Sequence, residues 1–158
     1  MAKTEVKRVI RVPIEKALEY YANHDLYNSI HKKDEFTYTT ISRRDNEIVA
    51  EVQQDFKGQK MTFTNKTVYN LPRSIETETL SGMAKGSTQK IAFESVAEGT
   101  KVTYSIDFKL ALAGVAGKAI GMMSNKMMKK MTKETLEEIA DLDQKHLEGE
   151  QPPPPIPE

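Results

Sequence analysis

The stretch Gly99-Thr-Lys-Val-Thr-Tyr-Ser-Ile-Asp-Phe-Lys-Leu110 alternates apolar and polar side chains along its length. The apolar members on one parity are Val102, Tyr104, Ile106, Phe108 and Leu110. Because successive side chains of a strand point to opposite faces, this pattern predicts a long strand with one buried face. A methionine-rich helical pattern follows at about residues 112–147. A long last strand that leads into a long last helix is typical of a curved sheet that grips a helix and encloses a cavity.

Six further strand patterns precede this stretch, at residues 5–12, 34–42, 47–56, 60–69, 74–80 and 88–96. Two short helical patterns separate the first strand from the second. Pro13 suits the first turn of one helix, and Asp25 is a residue type that caps the next. The later strands are joined by short turns, which favour an antiparallel meander. The predicted fold class is therefore α+β, with a curved antiparallel sheet in the order β-α-α-β6-α wrapped around a long C-terminal helix.

The composition excludes several classes of protein. The 158 residues include 23 basic and 23 acidic side chains and no cysteine. A balanced charge gives no field that attracts nucleic acid, so we expect no nucleic-acid partner. The absence of cysteine excludes disulfides and thiol nucleophiles. No apolar signal segment or membrane span is visible, and we expect a cytoplasmic protein. Four consecutive prolines predict a disordered tail at residues 148–158, after one domain at residues 1–147.

Three segments together resemble a known superfamily. They are Val12-Pro-Ile-Glu-Lys-Ala-Leu18 at the entry to the first helix, Asn28-Ser-Ile-His31 before the second strand, and the hairpin sequence Gly99-Thr-Lys-Val-Thr-Tyr104. Over about residues 4–146 the chain resembles the START-like, Bet v 1-like (SRPBCC) superfamily, and most closely its polyketide cyclase/dehydrase and lipid-transport group. Ile30 stands where that group often has tryptophan. The resemblance implies a helix-grip fold with a cavity, and it carries no universal catalytic motif.

The sequence contains little that is typical of catalysis. His24, His31 and His146 have neither metal-ligand spacing nor cysteine partners, so we expect no metal and no cofactor. A Gly-x-Ser-x-Gly elbow and a phosphate-binding loop are also absent from the sequence. His31 is expected near the cavity rim, either as a ligand contact or as a solvated loop histidine.

The last helix pattern allows several interpretations. Five of the eight methionines fall between Met122 and Met131, and they suit a core, a cavity wall, a dimer surface or a membrane-facing patch. Its apolar stripe includes Met127, Met131, Leu136, Ile139 and Leu142. Glycines at 114, 117 and 121 favour close packing, or a soft helix start that admits a ligand.

Charge divides the same helix into two halves. The basic residues come first, at Lys118, Lys126, Lys129, Lys130 and Lys133, and the acidic residues Glu134, Glu137, Glu138, Asp141 and Asp143 follow. This order opposes the helix macrodipole. The ordinary interpretation is a solvated charged face, and the alternative is transient contact with a membrane surface through anionic lipid head groups.

These patterns favour a protein that binds a hydrophobic small molecule or lipid in a cavity between the sheet and the last helix. The candidate cavity residues are His31, Tyr38, Phe63, Asn65, Tyr69, Phe93, Tyr104, Phe108, Ile120, Met123 and Met127. One alternative is an enzyme of the cyclase or dehydratase type, with His31, Tyr38, Tyr69 and Tyr104 as candidate acid/base groups. The other is a protein-interaction or chaperone-like module that uses the methionine-rich helix and the tail. Non-catalytic binding is the leading hypothesis, and the ligand and the oligomeric state stay open.

Overall fold

Alternating side chains build one antiparallel sheet in the part of the chain that the structure describes. The structure is a computed structural model, and it describes residues 2–31, 36–56, 58–82, 84–109 and 125–149. Within these ranges the elements are β1 (Ala2–Ile10), α1 (Ile14–Tyr21), α2 (His24–His31), β2 (Phe36–Arg44), β3 (Glu47–Phe56), β4 (Gln59–Asn70), β5 (Ser74–Thr79), β6 (Thr88–Val96), β7 (Gly99–Phe108) and α3 (Asn125–Gly149).

The sheet combines a meander with one long-range pairing. Its strand order is β1-β7-β6-β5-β4-β3-β2, with every neighbouring pair antiparallel. Strands β2 to β7 are therefore neighbours in sequence order, which confirms the predicted meander and the order β-α-α-β6-α. β1 pairs with β7 in a register that sets Val6 beside Tyr104 and Ile10 beside Thr100. This pairing makes β1 an edge strand of the sheet, beside the long helix α3.

Gly99 allows the link between β1 and α1 to cross the start of β7. Its φ is 146°, and a Cβ atom there would lie 2.3 Å from the carbonyl oxygen of Ile10. A side chain is therefore excluded by both backbone conformation and space. Beside it, the hydroxyl of Thr100 donates a hydrogen bond of 2.9 Å to the carbonyl of Val12. Gly99 therefore allows the chain between β1 and α1 to pass close to the start of β7.

The core lies between the concave face of the sheet and the helices. Ala17, Tyr20 and Tyr21 are the buried residues of α1. Among the side chains of α3 that the structure describes, the buried ones are Leu136, Ala140, Asp143 and Leu147, at intervals of three and four residues. These spacings place them on one side of a helix. Burying each leucine contributes about 1.5–3 kcal/mol, so tertiary packing holds α3 although its charge order opposes the macrodipole.

The predicted apolar stripe of the last helix is partly wrong. Met127 and Met131 are each 53% exposed and Leu142 is 43% exposed. The buried stripe instead follows the phase of Leu136 and Ala140, because that side of α3 faces the sheet. Residues 112–124 and the tail after residue 149, including the three helix glycines, lie outside the described residues.

The start of α2 also differs from the prediction. The backbone N–H of Leu26 donates to the side-chain oxygen of Asn23 at 3.2 Å, so Asn23 rather than Asp25 caps this helix. Asp25 instead pairs with Arg43 on β2 at 2.7 Å. The contact joins the helix to the far edge of the sheet. No helix in the described ranges is both long and apolar enough to cross a membrane.

Candidate functional site

A cavity of about 330 Å³ lies between the concave face of the sheet and the helices. Its sheet wall consists of Tyr38, Ala50, Val52, Asn65, Thr67, Tyr69, Ile75, Thr77, Gln89, Lys90, Ile91 and Tyr104. Its helical wall consists of Tyr21, His24, Tyr27, Asn28, His31, Thr135, Leu136, Glu138, Ile139 and Leu142. Small-molecule sites in proteins typically enclose about 300–1,000 Å³ and combine apolar walls with a few polar groups. The cavity therefore has the size and the mixed lining of a site for a small ligand.

One end of the cavity is built on a buried carboxylate. Asp143 on α3 is fully buried, with 0% exposure. It accepts hydrogen bonds from Tyr20 at 2.5 Å, from Tyr27 at 3.1 Å and from Tyr104 at 2.8 Å. The ring nitrogen Nε2 of His31 lies 2.6 Å from the same carboxylate. A buried carboxylate is tolerated when it is paired and hydrogen-bonded, and these four partners supply that compensation.

The tyrosine hydroxyls have a defined direction of donation. Tyr104 uses its single proton for Asp143, so its oxygen accepts from Tyr21, whose hydroxyl lies 2.5 Å away. Burial raises the pKa of Tyr21, Tyr27 and Tyr104 well above the usual value, and the negative charge of Asp143 adds to the rise. The three phenols are therefore neutral donors at physiological pH. Tyr21 and Tyr104 form a chain to the carboxylate, and Tyr27 donates to it directly.

The two histidines of α2 both border the cavity. The side chain of His31 is 12% exposed, and its Nε2 is engaged with Asp143. Among the described residues, the hydrogen bonds of the His31 ring involve Nε2, and the residue borders the cavity. Burial, assisted by nearby Arg43, lowers the pKa of His24, and its ring lies 3.2 Å from the amide of Asn28. The interpretation of His31 as a solvated loop residue is wrong, because the residue ends a helix and its ring is largely buried.

The sheet wall carries polar groups that are mostly satisfied by each other. The hydroxyls of Thr67 and Thr77 are 3.2 Å apart across β4 and β5. Asn65 accepts a hydrogen bond of 3.0 Å from Thr79. Burial raises the pKa of Tyr69 to about 12, so its phenol is neutral. These two pairs satisfy hydroxyl and amide groups of β4 and β5 within the sheet itself.

The structure divides the predicted cavity residues into three groups. His31, Tyr38, Asn65, Tyr69 and Tyr104 are on the cavity wall. The residues Phe63, Phe93, Phe108 and Met127 are not among the described lining residues. The remaining two, Ile120 and Met123, lie outside the described residues.

Each residue that is absent from the wall has a physical reason. Phe63 precedes the part of β4 that pairs with β5, and it lies beside Gly82, where a Cβ atom on the glycine would lie 2.9 Å from that of the phenylalanine. Phe93 is buried under Tyr21, with ring centroids 5.0 Å apart. Phe108 is half-buried at the last position of β7, and Met127 is exposed at the start of α3. Strand parity selected the correct face in β4, but it does not show where along the strand the cavity ends.

The prediction missed most of the hydrogen-bonded cluster. It assigned Asp143 to a solvated charged face, which is wrong, and it did not include Tyr20, Tyr21 or Tyr27. One sequence signal was available, because Asp143 is spaced three and four residues from Ala140 and Leu147 on the buried side of α3. Among the described residues, no group of three or more acidic or histidine side chains is arranged to hold a metal ion.

Comparisons with known proteins agree with this geometry. The sequence matches the family described as polyketide cyclase / dehydrase and lipid transport over residues 1–142. The protein TTHA0849 from Thermus thermophilus is 13% identical, with a TM-score of 0.74 over 95% of this chain and 99% of that chain. A START superfamily protein from Mycobacterium smegmatis is 15% identical, with a TM-score of 0.72 over 94% of this chain and 99% of that one.

The Zhui aromatase/cyclase from Streptomyces sp. R1128 is 17% identical, with a TM-score of 0.69 over 94% of this chain and 92% of that chain. No curated protein matches the sequence. At such low identities the solved structures show the fold, and the predicted START-like, Bet v 1-like helix-grip fold is confirmed. Since the family match extends over most of its length, the chain belongs to the polyketide cyclase/dehydrase and lipid-transport family.

Proposed function

We propose that this protein binds a hydrophobic small molecule or lipid in the cavity between the sheet and α3. The observation that carries the proposal is the cavity itself, which holds about 330 Å³ and is bordered by five of the six tyrosines of the chain. Its volume is at the low end of the range for small-molecule sites, so it suits a compact ligand or a single lipid chain better than a complete phospholipid.

The lining also favours a particular ligand chemistry. Tyrosine rings offer apolar contact. The hydroxyl of Tyr27, whose proton goes to Asp143, and Nδ1 of His31 can each accept one hydrogen bond. The Asp143 carboxylate is fully buried behind Tyr27 and Tyr104, so a ligand meets these phenols rather than the charge. The expected ligand is therefore apolar over most of its surface, and it carries one hydroxyl group that donates a hydrogen bond toward Tyr27 or His31.

Native mass spectrometry of the purified protein, combined with organic extraction, tests the proposal. We expect a bound species that organic solvent releases. A cavity-filling variant, Thr67→Phe, should lose this species, because Thr67 is on the cavity wall. Thr62→Phe is the matched control, since Thr62 is exposed on the opposite face of the same strand. Equal occupancy in both variants, or no binding of any apolar compound by the wild type, would argue against the proposal.

One observation favours a second candidate function, an acid/base enzyme of the cyclase or dehydratase type. His31 is on the cavity wall, and its Nε2 is 2.6 Å from Asp143. A carboxylate that holds one nitrogen of an imidazole fixes the tautomer and orients the other nitrogen, which suits a general base. Such a base removes a proton from the carbon beside a ketone, and a neighbouring phenol donates a proton to the hydroxide that leaves as water.

Dehydration of the β-hydroxy ketone 4-hydroxy-4-phenylbutan-2-one provides a direct assay, because the conjugated product absorbs in the ultraviolet. The enzyme hypothesis predicts a rate above the buffer background that His31→Asn removes. His146→Asn is a control for the loss of a histidine, since His146 is not among the cavity-lining residues. If both variants retain the wild-type rate, or if the rate equals the background, this second candidate is wrong.

A further inference from the structure

The first turns of α3 form a surface in which exposed methionines lie among exposed lysines. The Lys–Met surface consists of Lys126, Met127, Lys129, Lys130, Met131 and Lys133. The four lysines are all exposed, and both methionines are 53% exposed. Of the described side chains from Lys126 to Thr135, none is buried. Flexible apolar side chains and mobile cations are thus presented together on one helical segment.

The lysines concentrate positive charge on one short segment of the chain. The described part of α3 begins with them, and its first acidic residue is Glu134. The stretch 125–133 contains four lysines and no acid, so its net charge is +4 although the whole chain is neutral. A positive charge that is concentrated locally on a neutral protein is complementary to an external surface of opposite sign.

The methionines lie on the side of α3 that leads to the cavity. Met127 and Met131 are followed at helical intervals by Thr135, Glu138 and Leu142, and these last three border the cavity. Residues separated by three or four positions share one side of a helix. The Lys–Met surface therefore continues directly into the cavity wall, without an intervening element among the described residues.

We propose that the Lys–Met surface docks on an anionic phospholipid membrane. The lysines contact the head groups, and Met131 with Met127 enters the boundary between the head groups and the acyl chains. The charge argues for this partner, because the surface is locally basic on a neutral protein and an anionic leaflet is a continuous negative surface. Docking can be measured without a cavity ligand. The purpose that we infer for it is exchange of an apolar ligand between the cavity and the membrane, and this purpose rests on the proposed function.

The chain contains no tryptophan, so a single tryptophan is a clean reporter of membrane entry. We would introduce Met131→Trp in the full chain and add vesicles of phosphatidylcholine, with or without phosphatidylserine. The emission should shift to the blue with the anionic vesicles only. Val9→Trp is the matched control, since Val9 is an apolar residue that is 41% exposed on the outer face of β1. An equal shift for both reporters, or no shift for either, overturns the proposal.

Vesicle sedimentation of charge variants provides the second arm. Lys126→Gln with Lys130→Gln should weaken partitioning by about 30-fold, and added salt should have a similar effect. Lys7→Gln with Lys145→Gln removes the same charge elsewhere and should leave partitioning within a few-fold of wild type. The proposal is contradicted if partitioning is the same with and without phosphatidylserine and is unchanged by replacing the surface lysines. A dimer in sedimentation velocity that Met131→Ser abolishes, without vesicle binding, also contradicts it and identifies a second copy as the partner.

The cavity variant Thr67→Phe separates the two proposals. It should lose the cavity ligand and keep wild-type vesicle binding. Vesicle binding by a protein that never holds a cavity ligand supports docking and overturns the proposed function. A cavity ligand in a protein that does not bind vesicles supports the proposed function and overturns docking.

Discussion

The Nε2 atom of His31 lies 2.6 Å from Oδ1 of Asp143, although 112 positions separate the two residues in the chain. His31 is the last residue of α2, a helix that contributes no fully buried side chain. The bond to Asp143, together with that from Tyr27, therefore ties this side of the cavity to α3 by polar contacts. The polar cluster shapes the cavity as well as bordering it.

Replacing Asp143 with Asn should strongly destabilise the protein. The amide offers a single acceptor oxygen where four donors converge, and its NH₂ group faces donors instead of acceptors. We expect the free energy of unfolding to fall by about 3–5 kcal/mol in urea denaturation. Asp141→Asn is the control, since Asp141 is 67% exposed in its pair with Arg8 and should contribute less than about 1 kcal/mol. Similar effects for the two variants would contradict the assigned role of Asp143.

A double-mutant cycle tests the chain of hydroxyls. Tyr21→Phe removes a bond between two phenols and should cost about 1 kcal/mol, while Tyr104→Phe removes a bond to a carboxylate and should cost about 1.5–3 kcal/mol. In the Tyr104→Phe background the Tyr21 hydroxyl has lost its acceptor, so its removal should be close to neutral. Additive losses in the double variant, measured by denaturation, would show that the two hydroxyls act independently.

The tyrosine cluster should make the fold sensitive to alkali. Burial raises the folded-state pKa of Tyr21, Tyr27 and Tyr104 well above the unfolded value of 10. A raised pKa means that the folded state holds these protons more tightly. Its stabilising contribution is therefore complete below pH 10 and is lost as the pH rises above that value. Unfolding free energies measured from pH 8 upward should be level and then fall. Phenol absorbance that titrates wholly near pH 10 in the folded protein would contradict this.

Of the described glycines, Gly99 should tolerate replacement least. Gly99→Ala combines an unfavourable φ with a contact of 2.3 Å to the Ile10 carbonyl, and we expect a loss of about 3–5 kcal/mol. Gly58→Ala separates the two causes, because Gly58 has a φ of 79° with no atom within 4 Å of the added methyl. It should lose only about 1–2 kcal/mol. Equal melting temperatures for the two alanine variants would show that the close approach at Gly99 is unimportant.

The fold was predictable because its signals are local. The alternation in residues 99–108 and the turns between the later strands specify strand existence and meander order without long-range information. The helix boundaries were less accurate because a cap is decided by one hydrogen bond, which Asn23 makes and Asp25 does not. The phase of α3 was misjudged because Met127, Met131 and Leu142 are apolar, and hydropathy does not show which side of a helix meets the sheet.

The site was predictable only in part because it is assembled over long distances. Parity placed Asn65 and Tyr69 on the correct face of β4. The cluster around Asp143 joins α1, α2, β7 and α3, and no local pattern links Tyr20 to a carboxylate 123 positions away. The spacing of Asp143 from Ala140 and Leu147 indicates burial, but it does not name the partners.

Ligand binding to the tyrosine-lined cavity is the central claim, and tyrosine-selective NMR tests it most directly. Of the six tyrosines, Tyr21, Tyr27, Tyr38, Tyr69 and Tyr104 border the cavity. With ring-labelled tyrosine, we would add 2-naphthol, an apolar probe with one hydroxyl. The account predicts saturable shifts of these ring signals, retained in Thr62→Phe and lost in Thr67→Phe. Ring signals that stay unchanged at saturating probe, or that respond equally in Thr67→Phe, would contradict it.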